Sequence, residues 1–175
     1  EECLLFLLGS RYCETDRLSE TAWSLFGNTR GGALRVQAIC DYVHNHITFA
    51  YQDARATRSA WEAYSERRGV CRDYAHLVIA LLRALDVPAR MVAVYAPGLS
   101  PMDFHAVAEA WVDGAWWTVD ATRLAPRQSM LRISTGRDAA DIAFLTNHWA
   151  DLSLTTMDVL AIVDELPSDD GTQLV

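Results

Sequence analysis

Three residues in this chain have the types and spacing for nucleophilic chemistry: Cys71, His105 and Asp120. Cys71 follows Gly69-Val70 and opens a strongly apolar stretch in which Leu77, Leu81, Leu82 and Leu85 recur at helical spacing. A helix start carries about half a positive charge and several unpaired N–H groups, so an anion such as a thiolate is stabilised there. His105 and Asp120 flank Asp113-Gly114, a strong short hairpin signal and a type I′ turn. With those two residues as the loop, Val112 faces Ala115, Val107 faces Asp120 and His105 faces Thr122. Opposed side chains share a face, which makes His105 and Asp120 diagonal neighbours, with Cα atoms roughly 7–8 Å apart. Thiol, imidazole and carboxylate then form the pattern of nucleophile, base and orienter. In acyl transfer, His105 takes the thiol proton and later protonates the leaving amine, while Asp120 holds the imidazole tautomer. The backbone N–H of Cys71 donates to the oxyanion.

The elements that must position these groups follow from periodicity and punctuation. Asp16 caps a helix over 17–26 that Gly27 stops. A second helix spans 33–46, its apolar stripe built from Val36, Ile39, Cys40 and Val43. A short strand or extended exit covers 47–51. Ser59-x-x-Glu62 is a capping box opening a short helix that Gly69 ends. The nucleophile helix runs over 71–85, and Pro88 forbids its continuation. Strands follow at 89–95, 104–112, 115–121 and 130–134, then a β-like run at 157–163 and a frayed tail at 167–171.

One hairpin face carries Phe104, Ala106, Ala108, Ala110, Val112, Trp117, Val119 and Ala121 and must be buried. The face of His105 and Asp120 reads as the less buried one. The helix presenting Cys71 must nonetheless reach that polar face, which requires both faces to be covered. Helices first and strands after predict an α+β fold with a mainly antiparallel sheet.

At these residues the chain resembles the transglutaminase-like superfamily, a branch of the papain-like cysteine enzymes. The resemblance is carried by Gly69-Val70-Cys71-Arg72-Asp73-Tyr74-Ala75, by Leu82-Arg83-Ala84-Leu85-Asp86-Val87-Pro88-Ala89-Arg90, by Phe104-His105-Ala106 with Glu109-Ala110-Trp111, and by Trp116-Trp117-Thr118-Val119-Asp120-Ala121-Thr122. Gly136-Arg137-Asp138-Ala139-Ala140-Asp141 is similar to the tail of a bacterial subgroup. The resemblance implies a papain-like core with the nucleophile helix packed on the sheet, and Cys71, His105 and Asp120 as its catalytic residues. Val107 stands where the family usually has Trp, and Ala121 where it has Pro. For the upstream residue that completes the oxyanion hole in animal transglutaminases, Tyr51 is the candidate.

Other polar residues have plainer readings. His44 and His46 are two apart, do not face each other on a helix and read as a solvated helix end. His76 reads as structural. Asp73 in the first turn suits the helix dipole but opposes a neighbouring thiolate, a charge that Arg72 offsets. Trp61, Trp111, Trp116, Trp117 and Trp149 read as core or cleft wall. The cysteines at 3, 13, 40 and 71 form neither a CxxC pair nor a zinc pattern, and they are expected as reduced thiols.

The whole chain bounds these readings. It has 175 residues, 15 Arg and no Lys, 23 Asp plus Glu, and a net charge of −8. The acidic balance argues against general nucleic-acid or anionic-membrane binding. The early apolar run at 4–8 is too short to span a bilayer, and Glu1 and Glu2 before it have the wrong charge for a signal peptide. The expectation is a single catalytic domain over 1–175, its non-Met start fitting a fragment without an N-terminal domain or a processed form. The expected location is the cytoplasm. The expected activity is cysteine-dependent cleavage or transfer of amide bonds, hydrolysis favoured, on a protein or peptide substrate, with no cofactor or metal. The alternative is a non-catalytic interaction domain on the same fold; a thiol redox protein is disfavoured because no resolving Cys lies nearby.

Overall fold

A computed structural model describes residues 2–174; Glu1, read above as part of the acidic start, lies outside them. Helices α1 (Thr15–Phe26), α2 (Ala33–His46) and α3 (Ala60–Glu66) precede α4 (Cys71–Ala84), with β1 (Thr48–Phe49) and β2 (Arg68–Gly69) between them. Four strands follow: β3 (Ala89–Tyr95), β4 (Phe104–Val112), β5 (Ala115–Val119) and β6 (Leu131–Gly136). They form one antiparallel sheet in the order β5-β4-β3-β6, while β1 and β2 pair in parallel. The fold is therefore α+β with an antiparallel sheet, as the patterning predicts. No helix among the described residues is long and apolar enough to cross a membrane.

Helix α4 is the centre of the molecule. Every residue from 73 to 83 is buried, because α1, α2 and α3 cover one side of the helix and β3 and β4 the other. Its leucines join Val36, Ile39 and Val43 of α2 and Ala89, Met91, Ala108, Ala110 and Val119 of the sheet in one apolar core. Each fully buried leucine of that set contributes about 1.5–3 kcal/mol. Cys40 lies in the same core.

The opposite face of the sheet is also closed. Val92, Val94, Ala96, Leu99, Val107 and Ala125 form a second cluster there, with Met130 against it. The face of His105 is thus not the less buried one: His105, Glu109, Asp120 and Thr122 are all buried. Short alanines on the α4 side let the helix pack close, and the valines on the other side draw in their own cover.

Several boundaries differ from the sequence reading. Helix α1 begins at Thr15 after Glu14, without a side-chain cap, and Asp16 lies in its first turn. The Ser59–Glu62 capping box is present, but α3 ends at Arg67, which takes the left-handed conformation at φ 55°, rather than at Gly69. No strand forms over 157–163; the residues after 142 carry no regular structure, and most of their side chains are exposed. The segment pairs with neither edge strand of the sheet, β5 or β6, and an apolar alternation alone does not make a ladder. The tail at 167–171 is not frayed. Asp169 receives bonds from Arg127 Nε and Nη2, each 2.8 Å long, and Gln37 Nε2 donates to the carbonyl of Gly171.

Candidate active site

Cys71 is the first residue of α4, so its N–H has no acceptor within the helix. The approach to it is rigid. Buried Asp73 accepts the Val70 N–H at 2.9 Å, which caps the helix from inside its first turn. A Cβ on Gly69 would fall 2.5 Å from Asp73 Oδ2, so the carboxylate fits against the backbone only where the residue is glycine. The charge of Asp73 is met by Arg58 Nη1 at 2.9 Å as well as by Arg72 Nη2 at 3.3 Å. Arg58, itself buried, is the partner that sequence reasoning missed, since it lies fifteen residues away on the loop before α3. The β1–β2 pairing, extended by the Ala50 N–H donating to the Gly69 carbonyl at 3.1 Å, brings Tyr51 alongside Cys71.

The hairpin supplies the other two groups. Asp113 and Gly114 both have positive φ, at 51° and 85°, as a type I′ turn requires. The register pairs Val112 with Ala115 and Ala108 with Val119, as expected. Strand β5 ends there, which leaves the start of β4 open on that side and lets the chain from Asp120 fold over it. His105 Nε2 lies 2.8 Å from Asp120 Oδ2, both side chains almost fully enclosed. The structure therefore joins His105 to Asp120, and Cys71 lies near enough to act on the imidazole by charge.

Asp120 is held by more than His105. Its Oδ1 accepts the Thr122 N–H at 2.9 Å and the Thr122 hydroxyl at 2.8 Å. His44 Nδ1 is bonded to the carbonyl of Ala121 at 2.8 Å, which pins the next peptide. Thr122 was visible in the sequence only as the residue opposite His105; His44 gave no signal, because its partner is 77 residues away. The reading of His44 and His46 as a solvated end is corrected. His46 bonds the Tyr64 carbonyl at 2.8 Å and stacks between Tyr42 and Tyr64.

Electrostatics at the imidazole are decided by these partners. Burial alone lowers the pKa of His105, but the hydrogen bonds and charges of Asp120 and Cys71 outweigh it and raise the value to about 10. The imidazolium is thus the favoured state at neutral pH. The buried thiols of Cys13 and Cys40 are pushed up to about 12 by desolvation, which leaves them inert. All four cysteines are free thiols.

The remaining candidates lie elsewhere. His76 is buried, stacks on Tyr12 and accepts the Ala139 N–H at Nε2. Trp111 and Trp116 pack edge to face at the far end of β4, where Arg90 covers Trp116 at 4.1 Å. Trp117 packs on the main core, and Trp61 lies under Arg17. Trp149 is fully exposed, contrary to its reading as core or cleft. Glu109 is enclosed by ion pairs with Arg90 and Arg132, each 2.6 Å long. A cavity of about 130 Å³ lies behind Asp120, walled by Arg123, Arg127, Asp169 and Gly171. Among the described residues no group of three His, Cys, Asp or Glu is arranged to hold a metal ion.

A thiol at a helix start beside a buried imidazole–carboxylate pair is an arrangement of papain-like enzymes, and sequence comparison agrees. The profile of the transglutaminase-like superfamily matches residues 21–121, more than half of the chain, and the chain belongs to that superfamily. An uncharacterized Mycobacterium leprae protein, ML0607, is 31% identical over 121 residues, which are 62% of this chain and 42% of that protein. The crystal structure of a candidate cysteine protease from Cytophaga hutchinsonii matches with a TM-score of 0.80 and 45% identity, over 81% of this chain and 49% of the other. The periplasmic domain of Pseudomonas aeruginosa TgpA matches with a TM-score of 0.56 and 25% identity, over 69% of this chain and 46% of the other. Legionella pneumophila LapG, at 12% identity and a TM-score of 0.53, over 74% of this chain and 84% of its own, shares the fold. The chain thus spans less than half the length of the Mycobacterium and Cytophaga proteins.

Proposed function

We propose that this protein is a cysteine-dependent acyl-transfer enzyme that hydrolyses amide bonds of a protein or peptide. The observation that carries the reading is the buried His105–Asp120 pair, 2.8 Å between Nε2 and Oδ2, with Cys71 near enough to act on the imidazole by charge. The Cys71 sulfur attacks the carbonyl carbon, the S–C bond forms, and the tetrahedral oxyanion takes a hydrogen bond from the Cys71 N–H. The Tyr51 phenol, beside Cys71, is the side-chain donor to the same oxyanion. The C–N bond then breaks as the His105 imidazolium passes its proton to the leaving amine. Neutral His105 next takes a proton from water, whose oxygen attacks the thioester and frees the acid and the thiolate. Hydrolysis is preferred over transfer to an amine because water needs no dedicated acceptor site. The similarity to a candidate cysteine protease supports the same choice.

The test combines labelling and turnover. Cys71 is expected to be the fastest of the four thiols to take iodoacetamide in the native protein, read by peptide mapping. Cys71→Ala is expected to abolish turnover of peptide amides while circular dichroism stays unchanged. Wild-type turnover in Cys71→Ala would overturn the enzymatic reading and put the interaction-domain reading ahead.

A further inference from the structure

Two arginines share a cavity wall with Asp120, and each is tied to a carboxylate from another part of the chain. Arg123, Arg127 and Asp120 all line the cavity of about 130 Å³, and among the described residues the other carboxylate on that wall is Asp169. Arg123 pairs with Asp41 of α2, and Arg127 with Asp169 of the C-terminal tail. The pairs differ in burial. The side chains of Arg123 and Asp41 are 30% and 48% exposed, those of Arg127 and Asp169 only 4% and 6%.

Asp169 meets Arg127 at three points. Its Oδ2 accepts the Arg127 backbone N–H at 2.9 Å and Nε at 2.8 Å, and its Oδ1 accepts Nη2 at 2.8 Å. The remaining nitrogen, Nη1, donates to the carbonyl of Thr118 at 3.4 Å, two residues before Asp120. The guanidinium therefore lies against the segment that carries Asp120. The tail that delivers Asp169 has anchors of its own. Gln37 Nε2 donates to the Gly171 carbonyl at 2.6 Å, and Leu174 packs on the main core.

A guanidinium shut off from water must meet an anion. Without the charge of Asp169, the anion left on this wall is Asp120, whose Oδ1 already holds Thr122 and whose Oδ2 holds His105. Arg127 would then compete with His105 for it. Arg123 makes no such demand, because water reaches it.

We propose that Asp169 is a positioning residue that engages Arg127 and thereby reserves Asp120 for His105. This rests on the reading of Cys71, His105 and Asp120 as the reacting groups, and it makes the C-terminal tail a support of the active site.

The first test needs no substrate. The His105 ring is titrated by NMR in wild type, Asp169→Asn, Asp41→Asn and the double variant Arg127→Gln/Asp169→Asn. Asp169→Asn is expected to lower the His105 midpoint by about one pH unit or more, as diverting an opposite charge does. The double variant removes the stray cation together with its partner and is expected to return the midpoint close to wild type. Asp41→Asn should leave it unmoved. An unmoved midpoint in Asp169→Asn overturns the proposal. A double variant as low as the single one also overturns it, because the pair would then be structural only. In the second test, kcat for a peptide amide is expected to fall about tenfold to a hundredfold in Asp169→Asn, short of the loss in Asp120→Asn, with KM nearly unchanged. The double variant should recover to within about threefold of wild type. Unchanged kcat in folded Asp169→Asn overturns the proposal. Should Asp169→Asn not fold, Gln37→Leu decides, since it unseats Gly171 and keeps every charge: a lowered His105 midpoint supports the proposal and an unmoved one overturns it. If wild type cleaves no peptide amide at all, the hydrolase reading falls, and the His105 midpoints still decide the role of Asp169.

Discussion

Two buried histidines lie near aspartates in this molecule, and they are driven in opposite directions. His105 is raised to about 10, whereas His76 is lowered to about 3, although both are nearly inaccessible to water. Desolvation opposes the charged form in each. What differs is the partner. Asp120 gives His105 a carboxylate oxygen at 2.8 Å, with Cys71 as a second partner. Asp138 spends its oxygens elsewhere, on the Tyr12 N–H at 2.8 Å and the Ala140 N–H at 2.8 Å. His76 is left with a backbone N–H at Nε2, the cations Arg72 and Arg83 in range, and a buried Nδ1 that has no hydrogen-bond partner. One histidine is built to carry a proton and the other to stay neutral.

Removing each imidazole in turn gives the largest expected effect. His105→Ala should lower kcat/KM by about a thousandfold or more, as the loss of a general acid–base does. His76→Phe keeps the stacking on Tyr12 and should leave turnover within about twofold, while costing about 1–2 kcal/mol because the Ala139 N–H loses its acceptor. Equal losses of turnover in folded protein would erase the distinction.

Asp120→Asn tests the partner rather than the ring. Turnover should fall by as much as about 10⁴-fold, through the wrong tautomer, and by less if the Cys–His pair assembles unaided. In the same variant the titration of His105, followed by NMR of the ring, should drop from about 10 towards the ordinary 6.5. A titration that stays high would mean that Cys71 alone raises it.

The pH dependence of stability follows with a definite sign. A raised histidine contributes stability that is fully present below its unfolded value of 6.5 and is lost as pH rises through about 10. Denaturant midpoints of wild type should therefore decline over that window, and Asp120→Asn should show a flatter decline. The lowered His76 acts oppositely: its contribution is present above pH 6.5 and is lost as pH falls towards about 3. His76→Phe should remove that acid-side loss.

The smallest effect concerns Thr122. Thr122→Val removes the hydroxyl that holds Asp120 Oδ1 but keeps the backbone donor. A loss of about fivefold to tenfold in kcat is expected, the worth of one ordinary hydrogen bond, because the backbone N–H still holds the same oxygen, with KM nearly unchanged. Restoration by Thr122→Ser would assign the effect to the hydroxyl.

How much of this was legible depends on sequence separation. The hairpin was readable because Asp113-Gly114 dictates its own backbone conformation, and the register then follows by counting. The start of α4 was readable from Gly69-Val70-Cys71 and the leucine spacing. Thr122 was half visible, placed on the right face but without a role. His44, Arg58 and the Arg127–Asp169 pair were invisible, since each meets its partner through the packing of separate elements. The β-like run at 157–163 misled because its alternation matches a strand while the chain does not bring it to either edge of the sheet.

What the sequence determined by itself is local: where α4 begins, how β4 and β5 pair, and hence that His105 and Asp120 share a face. Each is set by residues a few positions apart, through backbone conformation and side-chain periodicity. What only the tertiary structure decided is the state of those groups. Whether a buried imidazole is charged depends on which carboxylate oxygen is free to meet it, and that is settled by the folding of distant segments. The sequence contains two histidines with aspartates to pair with; packing gave the free oxygen to His105 and withheld it from His76.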